Sequence, residues 1–146
     1  MKSAVIYERK GKFYIRASSQ TNVGVWVDDG ECYSVDVDSD HEEIGKCVFT
    51  ALNKSKTNII HPTDWKGVSI PLFEAAKVKS WSTFGKNAKC VNIYVDNNDI
   101  KIMPTENKSS INEGFLEKEK SVILITTKTN NAELGKNIKK AWSLCE

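Results

Sequence analysis

Hydrophobic and polar positions along this chain change period several times, and the changes mark its elements. Residues 5–7 (Val5-Ile6-Tyr7) and 13–16 (Phe13-Tyr14-Ile15-Arg16) are rich in β-branched and aromatic side chains, with Glu8-Arg9-Lys10-Gly11-Lys12 between them. Two such runs around a polar stretch containing Gly predict a hairpin. Residues 18–22 are polar and predict a loop. Residues 23–27 predict a third strand and residues 32–37 a fourth, joined through Asp28-Asp29-Gly30, whose Asp-Gly pair suits a tight turn. In the fourth strand Tyr33, Val35 and Val37 alternate with Ser34, Asp36 and Asp38, so one face is apolar and the other wet.

At Asp40 the period becomes helical. Ile44, Cys47, Val48, Ala51 and Leu52 recur on one stripe, and Asp40 with Glu43 can form a capping pair, so residues 40–54 predict a helix. Residues 57–63 predict a loop containing His61-Pro62, and residues 65–76 a loop ending in a short helix over 72–76. Residues 78–84, 90–96 and 100–105 predict strands, the last two joined by Asn97-Asn98-Asp99. Residues 108–120 predict a loop. The continuous apolar run within residues 121–126 predicts a central strand buried on both faces. From Asn131 the helical period returns: Leu134, Ile138, Ala141, Trp142 and Cys145 share one stripe, Lys136, Asn137, Lys139 and Lys140 the other, and Asn130 with Glu133 can cap the start. The order is therefore ββββα-ββββα, an α+β arrangement with mostly antiparallel sheet and two main helices, in the pattern of one repeated meander-plus-helix unit. No stretch of residues 1–146 resembles a linker, so one domain is expected.

Composition narrows this only slightly. At 40% hydrophobic and 27% charged, the 146 residues are ordinary for a globular protein. The N-terminus becomes charged too early for a signal peptide, and the longest aliphatic run, residues 122–125, is far too short for a bilayer, so a cytoplasmic protein is expected. Cys32, Cys47, Cys90 and Cys145 are widely scattered, as four free thiols would be.

Charge alters the picture more. The formal net charge of +2 conceals a polarised chain: residues 28–43 hold eight acids and no Lys or Arg, while the segments before and after carry +4 and +6. Glu42 and Glu43 lie in the first helical turn, where negative charge is favourable, and Asp40 is the cap. Helix electrostatics leaves Asp28, Asp29, Glu31, Asp36 and Asp38 unexplained. An acidic strand face leading into an acidic helix start suits a basic protein partner. Asp28, Asp29, Glu31, Asp36, Asp38 and Asp40 are therefore the candidate partner-binding residues.

Catalytic chemistry finds little support. His41 is a neighbour of the acids, His61 has no identifiable partner, and no nucleophile, base and orienting group can be assembled. Asp36, Asp38 and Asp40 start like a calcium loop, but His41 stands where Gly must make the turn and Cys47 where a bidentate Glu is needed. No cofactor or metal is expected. Cys47 and Cys145 fall on apolar stripes and suit buried thiols. Phe13, Tyr14, Trp26, Trp81 and Tyr94, with Lys nearby, could form a stacking platform for single-stranded nucleic acid, or simply a core.

The middle of the chain carries a resemblance. Trp65-Lys66-Gly67-Val68, Leu72-x-x-Ala75-Ala76-x-Val78-x-Ser80-Trp81-x-x-Phe84, Lys86-x-Ala88-x-x-Val91 and Ile102-x-Pro104-Thr105-x-Asn107 resemble the immunity proteins of bacterial contact-dependent growth inhibition, the CdiI type. The resemblance implies a non-enzymatic cytoplasmic protein that binds and blocks the C-terminal toxin domain of a cognate CdiA protein. Such toxins are frequently nucleases, with cationic clefts that a carboxylate-rich surface can imitate phosphate to enter. The matching residues have the character of scaffold, so none is carried over as a binding site. A single-stranded nucleic-acid-binding domain is the alternative.

Overall fold

The computed structural model describes residues 1–110 and 113–146. Its elements are β1 (Lys2–Arg9), β2 (Lys12–Gln20), β3 (Trp26–Asp36), α1 (His41–Lys54), α2 (Trp65–Ala76), α3 (Trp81–Phe84), β4 (Lys89–Asp96), β5 (Asp99–Asn107), β6 (Phe115–Glu117), β7 (Ile123–Thr126) and α4 (Asn131–Leu144). The seven strands form one sheet in the order β3-β2-β1-β4-β5-β6, with β7 also on β5, and every strand pair is antiparallel. The class is α+β, with an open, antiparallel sheet.

Both faces of the sheet are covered, unequally. Ile6, Phe13, Ile15, Val91, Ile93, Ile100 and Ile102 face α1 and α4, whose stripes Ile44, Val48, Ala51 and Leu134, Ile138, Ala141 complete the main core. Val5, Tyr7, Tyr14 and Cys90 point the other way, against Leu72 and Ala76 of α2 and Phe84 of α3. Burying each such aliphatic or aromatic side chain is worth about 1.5–3 kcal/mol.

The repeat suggested by the order of elements is carried in the pairing. The β1–β2 hairpin, with eight- and nine-residue strands, is matched by β4–β5 with strands of the same lengths. Central strands β1 and β4 pair about Val5 and Asn92, which places a local twofold there. Strand β3 runs along β2 in two stretches split by a register shift, and β6 and β7 run along β5 in two stretches split by a short 3-10 turn at Glu119–Ser121. Helices α1 and α4 have fourteen residues each. Asp40 accepts from the Glu43 amide and Asn130 from the Glu133 amide, both at 2.8 Å. They cross where Gly45 meets the Asn131 carbonyl and Gly135 meets the His41 carbonyl, so the start of each helix rests on the glycine of the other. Among the described residues α2 and α3 have no counterpart in the second half.

Several sequence expectations are corrected. Residues 23–27 and 32–37 are not two strands around a turn at Asp28-Asp29-Gly30; β3 runs through, and the chain reverses earlier, where Thr21 N–H bonds Val25 O at 2.8 Å and Gly24 has φ +86°. Gly30 uses its positive φ of 74° for an irregularity opposite Arg16 instead. Ser18 and Ser19 belong to β2 and are buried. Residues 65–76 form a complete helix: the Asp64 carboxylate accepts from the Lys66 amide at 3.1 Å, and Pro71 is accommodated inside it. Residues 78–84 are not a strand, because the Ser80 hydroxyl caps α3 by accepting from Thr83 N. Residues 121–126 do not form a central strand. Strand β7 lies at the sheet margin with Leu124 60% exposed. Of the loop expected over residues 108–120, Phe115–Glu117 is strand and Glu119–Ser121 a 3-10 turn, and Ile111 and Asn112 lie outside the described residues.

Candidate functional site

Strand β3 carries most of the acidic segment to one margin of the sheet, and its twist and bulge send the acids in different directions. Asp28 points toward α2 and accepts from the Tyr7 hydroxyl at 2.6 Å. Burial raises its carboxyl above the ordinary carboxylate value, against the smaller opposing effects of the Tyr7 bond and the Arg16 charge. Asp29 points the other way and accepts from the Ser19 hydroxyl at 2.9 Å. That hydroxyl also accepts from the Lys56 amide, so Asp29 helps fasten the chain after α1. Glu31 is exposed and receives the Lys54 ammonium at 2.7 Å and the Tyr33 hydroxyl at 2.9 Å; these bonds hold its carboxyl below the usual range.

Asp36, Asp38 and Asp40 are exposed, and Asp40 serves α1 as its cap. Neither Asp36 nor Asp38 has a side-chain hydrogen bond or ion pair among the described residues. The six candidates are thus not one uniform face. Asp28 and Asp29 are bound inward on opposite sides of β3, while Glu31, Asp36, Asp38 and Asp40 follow its outer course into α1.

Arg16 explains the course of β3 and was not singled out by sequence reasoning. It is 2% exposed and has no carboxylate bonded to it: Nε and Nη2 donate to Gly30 O at 3.2 and 2.9 Å, and Nη1 donates to Val68 O at 2.7 Å. One buried guanidinium therefore ties the bulge of β3 to α2. The available signal was a cation inside the otherwise uncharged run Phe13-Tyr14-Ile15-Arg16-Ala17.

Beside Asp28 lie two concavities. The larger, about 810 Å³, runs between the start of β3, α2 and α3 and is lined by Trp26, Trp65, Trp81, Ile70 and Phe73. Three of the chain's four tryptophans meet there. The smaller, about 270 Å³, lies over the local twofold, with Trp26 and Phe115 on its walls and Tyr7, Asp28, Asn92 and Tyr94 in its lining. Tyr94 donates to Glu117, as Tyr7 does to Asp28, so the two halves repeat a tyrosine–carboxylate pair around one pocket.

The five aromatics considered for a stacking platform do not share one face, since Phe13 lies on the opposite side of the sheet from Tyr14, Trp26, Trp81 and Tyr94. Phe13 and Tyr14 are buried on opposite faces of β2, Phe13 edge-on to Trp142 at 5.5 Å and Tyr14 edge-on to Phe84 at 5.9 Å. Trp81 packs among Tyr7, Phe73 and Phe84 with its indole N–H on Ser69 Oγ at 2.9 Å. The thiols are disfavoured as thiolates: burial pushes Cys32 up to about 11 and Cys90 well above its ordinary value, and raises Cys47 and Cys145. His61 Nδ1 lies 3.2 Å from Thr21 Oγ1 and its ring meets Trp65 edge-on. Among the described residues no three His, Cys, Asp or Glu side chains cluster to hold a metal ion, and no helix is long and apolar enough to cross a membrane.

The CDI immunity protein family, CdiI, matches this chain over residues 2–145. The chain belongs to that family. No curated protein matches it. Among solved structures, a "Protein of Unknown Function" from Neisseria meningitidis is similar at TM-score 0.83 and 19% identity, covering 99% of this chain and 95% of that one. A chain of a "CdiA-CT/CdiI toxin and immunity complex" from Yersinia pseudotuberculosis is similar at TM-score 0.81 and 16% identity, covering 99% of this chain and 97% of that one. At these identities the likeness is one of fold: the CdiI chain described above shares its architecture with both.

Proposed function

We propose that this CdiI-family chain binds the C-terminal toxin domain of a cognate CdiA protein and neutralises it by occlusion, in the cytoplasm of the cell that makes it. The family match over residues 2–145 carries the reading. The solved structure of a toxin and immunity complex with a similar fold supports it. Occlusion requires a stable complementary surface and no catalytic group.

The partner is proposed to be a basic nuclease. Its cleft evolved around phosphates, and carboxylates fixed on a folded surface offer it a competing set of negative charges. Within the acidic segment, Asp36 and Asp38 supply unpaired charge, Glu31 and Asp40 flank them, and Asp28 with Asp29 hold the strand that presents them. Steering by such exposed charges acts chiefly on the association rate and weakens as salt rises.

The test is co-production with a candidate cognate CdiA toxin domain. Cells producing both should grow as cells without toxin do, whereas growth arrest despite abundant folded CdiI protein would refute neutralisation.

A further inference from the structure

The pocket on the local twofold has a donor and acceptor balance that selects its occupant. Of its polar lining, Ser3, Tyr7, Ser18 and Cys90 are each less than a tenth exposed, while Asp28, Asn92 and Tyr94 are half-buried. Most side-chain hydrogens of that lining are already committed within the protein. Tyr7 donates to Asp28, Tyr94 to Glu117, Ser3 to Ile93 O at 2.8 Å and Ser18 to Val27 O at 3.4 Å. The Asn92 amide donates one of its two hydrogens to Glu117, and the Cys90 thiol donates to Asn92 Oδ1. Apart from the second Asn92 amide hydrogen and the Trp26 indole N–H, what these groups can still offer an entering ligand is lone pairs, with the Asp28 carboxylate among them. A hydroxyl or thiol with its only hydrogen spent can act only as an acceptor.

The walls add a second selection. Trp26 from β3 and Phe115 from β6 occupy equivalent places about the twofold, each preceding the carboxylate strand position that pairs with a tyrosine. Aromatic faces favour cations, and ammonium and guanidinium groups carry hydrogens but no acceptor. An anion or a carbonyl would meet lone pairs on most sides. The volume, about 270 Å³, is of the size of one long side chain's head rather than of a folded segment.

We propose that this pocket receives a lysine or arginine side chain of the toxin domain, seated between Trp26 and Phe115 with its charge toward Asp28. The proposal rests on the toxin-binding reading and deepens it: the exposed acids guide a basic partner, and the pocket fixes one of its cations. Asp28 then has a purpose distinct from that of Asp36 and Asp38, although sequence alone grouped them.

The experiment separates the pocket's chemistry from toxin binding. The intact protein is titrated with N-acetyl-arginine amide and N-acetyl-lysine amide to about 50 mM, with N-acetyl-norleucine amide as the uncharged control, while the Trp26 indole and Asn92 amide signals are followed by NMR. Saturable shifts with a cationic amide and none with norleucine amide are expected. Asp28→Asn and Trp26→Leu, each checked for a native spectrum, should weaken that binding at least fivefold; if one fails to fold, the other decides. Equal shifts from norleucine amide, absence of saturation with both cations, or unchanged binding in the folded variant would overturn the proposal. With toxin domain bound at equimolar ratio, the amide shifts should disappear. Their persistence in a formed complex would show that the toxin does not use the pocket. A protein that binds the amides but not the toxin would instead overturn the toxin-binding reading.

Discussion

At the residue scale, Asp28 is the informative group, because its carboxylate is drawn inside the protein while Glu31 and Asp36 along β3 remain in water. Its folded-state affinity for a proton is raised, chiefly by burial. The protonated form is therefore favoured by folding, so the stability from this group is full below the unfolded carboxyl value of about 3.9 and is lost as pH rises through the higher folded value. Asp28→Asn keeps an acceptor for Tyr7 and removes the charge. Relative to the native chain, it should be equal in stability near pH 3.5 and should gain progressively from about pH 4 upward, as read from urea midpoints at constant salt. A loss that grows with pH would show that the ionised carboxylate stabilises the fold. Sequence could not reveal this inward turn, because it depends on Tyr7 lying two strands away. Arg16 was obscured for a related reason: alternation predicts one wet face, but α2 covers that face over β2 and turns a surface position into a buried one.

At the element scale, two kinds of glycine make opposite demands. Gly45 and Gly135 lie in ordinary helix where α1 and α4 cross, and a Cβ on either would collide with the backbone carbonyl of the other helix. Gly30 has open space around its Cβ position and a φ of +74°. Gly30→Ala should therefore cost about 1–2 kcal/mol, the penalty for a side chain in left-handed backbone. Gly45→Ala and Gly135→Ala should each cost about 3 kcal/mol or more, since backbone cannot step aside as a side-chain tip can. Denaturant unfolding of the three variants measures the order, and a Gly45→Ala variant as stable as Gly30→Ala would show that the helices separate freely. These helices were legible from the chain because period and caps agree: Ile44, Val48 and Ala51 after Asp40, and Leu134, Ile138 and Ala141 after Asn130. The strands were less so. Asp29-Gly30 has the chemistry of a turn and serves a bulge, and Val122-Ile123-Leu124-Ile125 has the apolarity of a central strand although its exposed residues include Val122 and Leu124. Local preference selects a backbone conformation, while pairing partners decide what that conformation is for.

At the scale of the whole molecule, the acidic segment is the proposed guide for a basic partner. Converting Asp36 and Asp38 to Lys should slow association with the toxin domain by about tenfold at low salt, with the difference shrinking above about 0.5 M as screening lengths fall below the separation of the charges. Stopped-flow association across a salt series checks this, and identical rates at low salt would make both acids bystanders. The α+β class and the CdiI resemblance were accessible from the sequence, since they rest on periodicity and on local motifs such as Ser80-Trp81 with Phe84. The pocket was not, because Tyr7, Asp28, Asn92 and Phe115 meet only after six strands, β3 to β6 in sheet order, have paired around the twofold. The most direct measurement is a titration of the purified toxin domain's activity with this protein. Activity should fall linearly and vanish at equimolar protein; full activity in the presence of a severalfold excess of folded protein would contradict neutralisation by complex formation.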